Sequence, residues 1–468
     1  MDYIIAEATS LDQVTDSHGN KLYQARELTS ASYKFSAITK ILESNPVSYF
    51  LKMGRLLANY LNSNYPLVFV TDWSDPTELT GLRLETEDGF KDYPDLCFIG
   101  FYTDWDAIER SGIERIFAHE FSHVWLNWMG YDLSRSLSNK FHTCTAITDP
   151  YMAFFEGFAE HLEIVTRDMS GYTQNGLWDY AYDVNAWLCA RDTQLRYHGV
   201  INDRFVYNTA LPFIDDYDYD TYAGLHMAHI TSSAFMPERI KNANQLLASE
   251  GAVASIFYHI YINDVFKNRY SDKAFYSSFG MDRDSVDPVQ NLYLKILYVM
   301  TRLDMSKPTL LTDFIKAYGD NFPDEKKELY SLFVRLTYFS TVSDDARHVF
   351  ERLYRIGRNG EVEPFRTALR ESSELKTRLI EQLLSGEVSL EAAVRPDIWI
   401  DGDEYIAPTP WNPEIKVRYK FCANSATAVD FLSMSGMTVK RAEQLIMQRE
   451  QLGGFKSVEE FYELLERI

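Results

Sequence analysis

The sequence predicts an α+β fold in which helices predominate. Two short runs rich in Val, Ile, Phe and Leu, residues 66–70 and 96–101, are typical of strands, with turn-forming residues between them. Apolar residues recur at helical spacing through residues 113–128, 151–165 and most of 242–394. Few strand-like segments beside many helical ones predict a small sheet accompanied by a larger helical part.

A motif with known chemistry lies in the helical stretch of residues 113–128, where the chain reads His119-Glu120-Phe121-Ser122-His123. Residues four apart lie on the same face of a helix, so the imidazoles of His119 and His123 can reach one metal ion. This spacing is typical of zinc sites in which the intervening glutamate, here Glu120, is the general base that activates water. The alternative interpretation is two ordinary histidines on a surface helix.

A catalytic zinc site needs a third protein ligand, and the helical stretch at 151–165 offers one. Glu156, Glu160 and Glu163 share a face apart from its apolar stripe. Glu156 can ligate the metal, and Glu160, one turn on, can accept a hydrogen bond from a ligand histidine. His161 is a rival ligand, but it points about 140° away from Glu156 on a helix. A solvated face of three glutamates is the other interpretation.

These residues together resemble the gluzincin metallopeptidases, especially the M1 aminopeptidase-like clan. The resemblance covers residues 98–165 and is carried by His119-Glu120-x-x-His123-x-Trp125 and by Glu156-Gly157-Phe158-Ala159. It implies Zn²⁺ held by His119, His123 and Glu156, with Glu120 as general base. It also implies a small mixed sheet over an active-site helix, followed by a mostly helical lobe.

Three further features bear on this resemblance. The run at 96–101 immediately precedes the motif, where gluzincins have a sheet-edge strand that can pair with an extended substrate. The interval from His123 to Glu156 is longer than is usual in the family, and we interpret residues 130–150 as an inserted loop. No string like Gly-x-Met-Glu-Asn, which anchors the free amine of the substrate in M1 aminopeptidases, precedes the motif. Endopeptidase and exopeptidase activity therefore both stay open.

Hydrolysis of a peptide also needs a donor that stabilises the oxyanion. A tyrosine beyond the glutamate ligand has this role in the M1 family, and Tyr222 is the expected counterpart here. Tyr219, His226 and His229 are the other candidates, while an ordinary tyrosine is the alternative in a chain that contains 31 of them. The acidic run at 215–220 predicts either a rim that attracts basic substrates or a solvated loop.

Charge and cysteine content limit the partners and the compartment. A formal net charge of −22 argues against a protein that holds nucleic acid over a broad surface, because phosphate binding draws on Lys and Arg. The four cysteines have no metal-ligand spacing and no disulfide framework. No apolar run has the length of a membrane span, and the first residues lack the pattern of a signal peptide. We expect a cytoplasmic protein, with a trimmed secreted chain as the alternative.

The last part of the chain carries a second set of motifs. It contains Asn424-Ser425-Ala426-Thr427, Ser435-Gly436-Met437, Ala442, Ile446, Arg449 and Gly453-Gly454-Phe455-Lys456-Ser457. This set resembles the helix-hairpin-helix domains of the ComEA type, which implies DNA contacts through hairpin amides. Thr438 stands where such hairpins have a second glycine, and residues 422–468 hold five basic against seven acidic side chains. We therefore favour a packing or protein-docking module over DNA binding.

The sequence as a whole predicts a zinc-dependent peptidase with a peptide or protein substrate and no membrane partner. We expect a gluzincin-like catalytic region over residues 1–240, a helical domain over 241–395, a connector over 396–420 and a helix-hairpin-helix module over 421–468. Two other classes of function stay open. One is a DNA- or protein-docking scaffold with a structural or inactive zinc site, and the other is a zinc hydrolase of non-peptide bonds.

Overall fold

The computed structural model of the chain describes residues 3–63, 66–74, 77–102, 113–136, 142, 147–170, 240–395, 397–406 and 416–468. This part of the chain is a mixed α/β fold in which helices predominate over a small mixed sheet, as the sequence predicts. It divides into two compact units. The first comprises Met1–Asp132, Leu162–Thr173 and Lys267–Thr301, and the second comprises Leu133–His161, Gln174–Phe266 and Arg302–Ile468.

The helices of the described residues confirm the helical patterns read from the sequence. In chain order they are α1 (Tyr33–Leu42), α2 (Asn45–Tyr60), α3 (Ile113–Trp128), α4 (Pro150–Ser170), α5 (Ala243–Leu247), α6 (Glu250–Ile262), α7 (Asp264–Asn268), α8 (Lys273–Ser277), α9 (Pro288–Met300), α10 (Leu310–Asn321), α11 (Pro323–Leu336), α12 (Asp344–Arg358), α13 (Val362–Ser385), α14 (Ala428–Phe431), α15 (Val439–Leu452) and α16 (Val458–Arg467). Across the described ranges, none of these helices combines the length and the apolar character that crossing a membrane requires.

Five strands of the first unit form a sheet that closes on itself. They are β1 (Tyr3–Thr15), β2 (Lys21–Glu27), β3 (Leu67–Trp73), β4 (Thr77–Thr86) and β5 (Gly89–Tyr102). Going round the sheet, β1 is antiparallel to β2, β2 is parallel to β4, β4 is antiparallel to β5, and β5 is parallel to β3. The ring is completed by parallel pairing of β3 with β1.

This closed sheet confirms both predicted strands and corrects one expectation about them. The runs at 66–70 and 96–101 lie in β3 and β5. However, Ile99 of β5 pairs with Glu78 of β4 on one side and with Phe69 of β3 on the other. The expectation of a free sheet edge at 96–101 is therefore wrong, because the backbone groups of this strand already have partners on both sides.

The strands β1 and β2 were not visible in the sequence. Residues 1 to about 45 mix polar and helical signals, and most of β1 is partly or fully exposed, with only Ile5 and Ala6 buried. An exposed strand lacks the alternation of apolar and polar residues by which a half-buried strand is recognised. The strand β1 is therefore explained by its pairing with the buried strand β3, and not by an apolar–polar alternation in its own sequence.

Aromatic packing holds α3 on the sheet of the first unit. The ring of Phe117 lies 5.5 Å from that of Phe69 on β3 and 6.1 Å, in stacked geometry, from that of Phe101 on β5, measured between centroids. Beside this contact α3 meets α2 at Gly54, whose small size admits the rings of Phe121 and Trp125. Large buried rings in defined contacts fix the position and rotation of α3, and hence the direction in which its polar residues point.

The second unit contains the first half of α4, the helices α5 and α6, the start of α7, and the helices from α10 onward. Phe257 of α6 contacts Phe158 of α4 and Phe314 of α10, with ring centroids 5.1 and 5.0 Å apart. Residues Trp399–Ile406 (β6) and Lys416–Cys422 (β7) form a two-stranded antiparallel sheet. A smaller core around Phe421, Phe431 and Phe461 joins this sheet to α14, α15 and α16.

We predict that Gly54→Ala destabilises the protein, although alanine is the better helix former. A Cβ at residue 54 would lie 2.6 Å from Cζ of Phe121 and 2.8 Å from Nε1 of Trp125. Overpacking against buried rings costs about 1–3 kcal/mol, which exceeds the gain in helix propensity of about 1 kcal/mol. Urea unfolding measures the difference.

Gly319→Ala in α10 is the matched control for that substitution. Its added Cβ would meet Cγ of Lys326 at 2.9 Å, a flexible side chain that can move away. A second neighbour, Cε1 of Tyr330 at 3.1 Å, offsets part of the gain in helix propensity, so we expect the unfolding free energy to equal that of the parent or to exceed it by up to about 1 kcal/mol. Equal stability of the two variants would contradict the tight packing of α2 on α3.

Candidate functional site

Helix α3 presents both histidines of the motif away from its aromatic face. Phe117, Phe121 and Val124 are buried in the first unit, which leaves His119 and His123 together on a neighbouring face. Their ring centroids lie 4.9 Å apart, with the ring planes nearly perpendicular at 88°. The spacing of four residues thus gives two imidazoles that converge on one point, as the helical interpretation of the motif requires.

Glu156 of α4 supplies a third donor atom to the two imidazoles. One nitrogen from each of His119 and His123 and one carboxylate oxygen of Glu156 all lie within 4.8 Å of one another. Donor atoms around a tetrahedral zinc ion lie about 3.4 Å apart, given bonds of about 2.1 Å. The three donors could therefore hold one ion, and two imidazoles with one carboxylate are a donor set that catalytic zinc sites use, with one position left open.

A carboxylate of the first unit lies against the first histidine. Oε1 of Glu163, on the part of α4 that belongs to the first unit, is 3.0 Å from Nδ1 of His119. A carboxylate this close to Nδ1 can orient the ring and direct Nε2 toward a ligand. The sequence predicts this supporting role for Glu160, whereas the contact that the structure shows at Nδ1 of His119 is made by Glu163.

Glu120 lies beside the first histidine on the same helix and is partly exposed. Burial raises the pKa of the Cys97 thiol, on β5, well above its usual value. The negative charge of Glu78 and, to a smaller extent, that of Glu120 add to this rise. The partial exposure of Glu120 suits a group that must exchange protons with water.

A histidine of the second unit adjoins Glu156, and a second carboxylate adjoins that histidine. Nε2 of His142 lies 3.4 Å from Oε1 of Glu156, and Nδ1 of His142 lies 3.2 Å from Oε1 of Glu250. No sequence pattern indicates either residue. His142 belongs to a stretch without helical or strand periodicity, and Glu250 is the first residue of α6.

The rival ligand His161 belongs to the apolar core of the second unit. Its Nδ1 bonds the carbonyl oxygen of Phe158, and its ring stacks on Phe257 with centroids 5.2 Å apart. Burial lowers the pKa of His161 to about 3, so the ring is neutral at physiological pH. Its direction away from Glu156 agrees with the angle expected for residues five apart on a helix.

The predicted oxyanion donor falls outside the described residues. Tyr222, its alternatives Tyr219, His226 and His229, and the acidic run at 215–220 all belong to that part of the chain. Their roles stay predictions from the sequence.

Two of the five basic side chains of residues 422–468 turn inward, whereas Lys440, Lys456 and Arg467 are exposed. The Arg449 guanidinium, with that residue only 9% exposed, donates to the carbonyl oxygens of Ala423 and Ala426. Arg441 donates to the carbonyl oxygens of Gly436 and Leu465, which tie the start of α15 to α16. These two guanidinium groups act as internal braces, so they contribute little to an exposed basic surface.

We predict that His161 makes the protein lose stability in acid. Between pH 6.5 and about 3 the unfolded chain binds a proton at this residue that the folded chain does not, so stability falls as the pH falls through that window. The loss at pH 4.5 is on the order of 2–3 kcal/mol. Urea unfolding near pH 7 and near pH 4.5, with a chelator present, should show a smaller acid loss for His161→Phe than for the parent.

His348→Ala provides the control, since the side chain of His348 is 59% exposed on α12. Its acid loss should match that of the parent. An acid loss in His161→Phe as large as the parent's would show that another group controls the acid transition.

The comparisons with protein-family models, with curated proteins and with solved structures find no match to this chain. The interpretation of the site therefore depends on its own geometry and on the motifs quoted above. Those are the paired histidines and Glu120 on α3, and Glu156 on α4.

Proposed function

We propose that this protein is a zinc-dependent peptidase of the gluzincin type. The observation that carries the proposal is the convergence of donor atoms from His119, His123 and Glu156 to within 4.8 Å of one another. Glu120 follows the first histidine on the same helix, at the position of the general base in such sites. A donor set with three protein ligands leaves one position for water or substrate, which distinguishes a catalytic site from a closed structural one.

Each residue then has a separate task. Zinc, when bound, supplies Lewis acidity that lowers the pKa of a water molecule and polarises the carbonyl of the substrate. Glu120 accepts the proton from the attacking water and later donates it to the nitrogen of the leaving amine, which departs as a neutral group. Glu163 orients the imidazole of His119 through the contact at Nδ1.

A cytoplasmic location is part of the same proposal. Among the described residues, Cys97 and Cys422 are free and buried, and burial raises the pKa of both thiols. Protonated, buried thiols act as small apolar side chains and do not form a disulfide framework. This use of cysteine suits a reducing compartment.

The C-terminal region is proposed to be a helix-hairpin-helix module that packs or docks to protein. Residue 438 is threonine, so the hairpin lacks the second glycine of a phosphate cradle. The hydroxyl of Thr438 instead accepts a hydrogen bond from the backbone amide of Arg441 at the start of α15. The inward contacts of Arg441 and Arg449 support the same interpretation. DNA binding through this module is the less favoured alternative.

We predict that Glu120→Gln abolishes peptide hydrolysis while zinc content stays at about one ion per chain. Glutamine has nearly the same shape but cannot accept the proton, and loss of a general base lowers kcat by about 10²–10⁴-fold. Metal content is measured by elemental analysis, and activity is measured on libraries of fluorogenic peptides with free and with blocked amino termini.

Glu156→Ala is the companion variant and should lose both the metal and the activity. Full activity in Glu120→Gln would exclude this residue as general base. Zinc retained with hydrolysis of esters or other amides, and of no peptide, would favour a hydrolase of non-peptide bonds. Zinc absent from the parent chain even after metal is supplied would favour the docking scaffold.

We also predict that Glu163→Gln weakens zinc binding more than Glu160→Gln does. Loss of a carboxylate that supports a ligand histidine reduces metal affinity by about 10–100-fold. The contact of 3.0 Å at Nδ1 of His119 belongs to Glu163. Competition with a chromophoric chelator measures both affinities, and a larger effect of Glu160→Gln would restore the assignment made from the sequence.

A further inference from the structure

Three polar side chains of the second unit form a continuous chain that ends at the ligand candidate on α4. His142 lies between two carboxylates, with Nε2 3.4 Å from Glu156 and Nδ1 3.2 Å from Glu250. The imidazole thus presents a different ring nitrogen to each carboxylate. None of the roles proposed so far uses His142 or Glu250.

Both carboxylates are buried, which makes the histidine between them energetically important. The side chains of Glu156 and Glu250 are 7% and 1% exposed, while that of His142 is 30% exposed. A buried carboxylate is strongly destabilising unless donors or opposite charges surround it. His142 is placed to act on both groups at once, and its partly exposed edge keeps it in contact with water.

Close packing of α4 against α6 makes this chain of contacts possible. Gly157 follows Glu156 on α4, and a Cβ there would lie 2.6 Å from the carbonyl oxygen of Glu250 and 2.6 Å from Cβ of Val253. Only glycine lets α4 and α6 approach so closely. That approach brings the first residue of α6 to the same region as Glu156.

A second metal ion bound by these three residues does not fit the geometry. A metal requires donor atoms that converge on one point. The ring of His142 instead stands between the two carboxylates, with a separate nitrogen toward each. Within the described residues, the group that does converge is formed by His119, His123 and Glu156.

We propose that His142 is a positioning residue that fixes the carboxylate of Glu156 for metal binding, and that Glu250 in turn fixes the imidazole of His142. The inference rests on the proposed zinc site and specifies which residues set the orientation of its carboxylate ligand. His119 has an equivalent support in Glu163, so each of these two ligands is braced by a side chain that does not belong to the converging group.

The test measures zinc affinity without any substrate, by competition with a chromophoric chelator. His142→Ala should bind zinc about 10–100-fold more weakly than the parent and still bind one ion per chain. His142→Gln, whose amide can donate to Glu156, should recover part of that loss. Glu250→Gln should lose less than His142→Ala, because His142 keeps its contact with Glu156.

Cobalt substitution supplies a readout that a general loss of stability would not change. The absorption bands of bound Co²⁺ report the geometry of its ligands, and they should shift in His142→Ala and return toward the parent spectrum in His142→Gln. His348→Ala removes an exposed histidine of α12 and should leave both affinity and spectrum unchanged. If His142→Ala does not fold, the His142→Gln and Glu250→Gln variants carry the test.

The possible outcomes separate this inference from the proposed function. Zinc affinities of the His142 and Glu250 variants within twofold of the parent, with unchanged Co²⁺ spectra, would overturn the positioning role alone. Two ions in the parent and one in His142→Ala would overturn it by making His142 a ligand. Zinc bound as expected without hydrolysis of any peptide would overturn only the peptidase. A parent chain that binds no zinc would overturn both.

Discussion

The burial of the Glu156 carboxylate is the constraint on which the rest of the site depends. Glu156 is 6% exposed and belongs to a run, residues 152–159, that is buried throughout. Desolvation of such a charge costs several kcal/mol, so nearby groups must compensate for it. The structure surrounds it with imidazoles, His142 in the second unit and the two histidines of α3. His161 lies on the same helix but among aromatic rings. Burial there lowers the pKa of the imidazole and keeps it neutral, so no opposite charge is needed beside it.

Packing at a distance from the polar atoms sets the accuracy of the site. The position of α3 follows from the rings of Phe69, Phe101 and Phe117, and the position of α4 follows from the close approach at Gly157. A metal site tolerates errors of only about 0.5 Å in its donors, which flexible side chains on a loosely packed helix could not meet. The aromatic content of this chain thus bears on its chemistry as well as on its stability.

Much of this arrangement follows from the sequence, and the contacts that do not follow from it have physical reasons. The helices carrying the histidines and Glu156 follow from apolar periodicity, and they bring the three donors together as the motif spacing implies. The sequence predicts the supporting carboxylate one turn after Glu156, at Glu160, and the structure shows in addition a contact of Glu163 with His119. In an α-helix, however, the seventh residue returns to within about 20° of the starting direction and the fourth deviates by about 40°. Glu163 is therefore the closer match in direction. His142 could not be predicted, since a segment without periodicity gives no indication of which distant side chain it meets.

The closed sheet leaves the proposed peptidase without a free edge at β5 for backbone pairing with a substrate. Ile99 of β5 pairs on both sides, so an extended peptide cannot add to this strand without breaking existing hydrogen bonds. Each such bond has a net value of about 1 kcal/mol, and exchanging one for another yields little binding energy. A peptidase built on this sheet must therefore obtain its affinity and selectivity from side chains and from other segments. Specificity would then follow the side chains of the substrate more than its backbone.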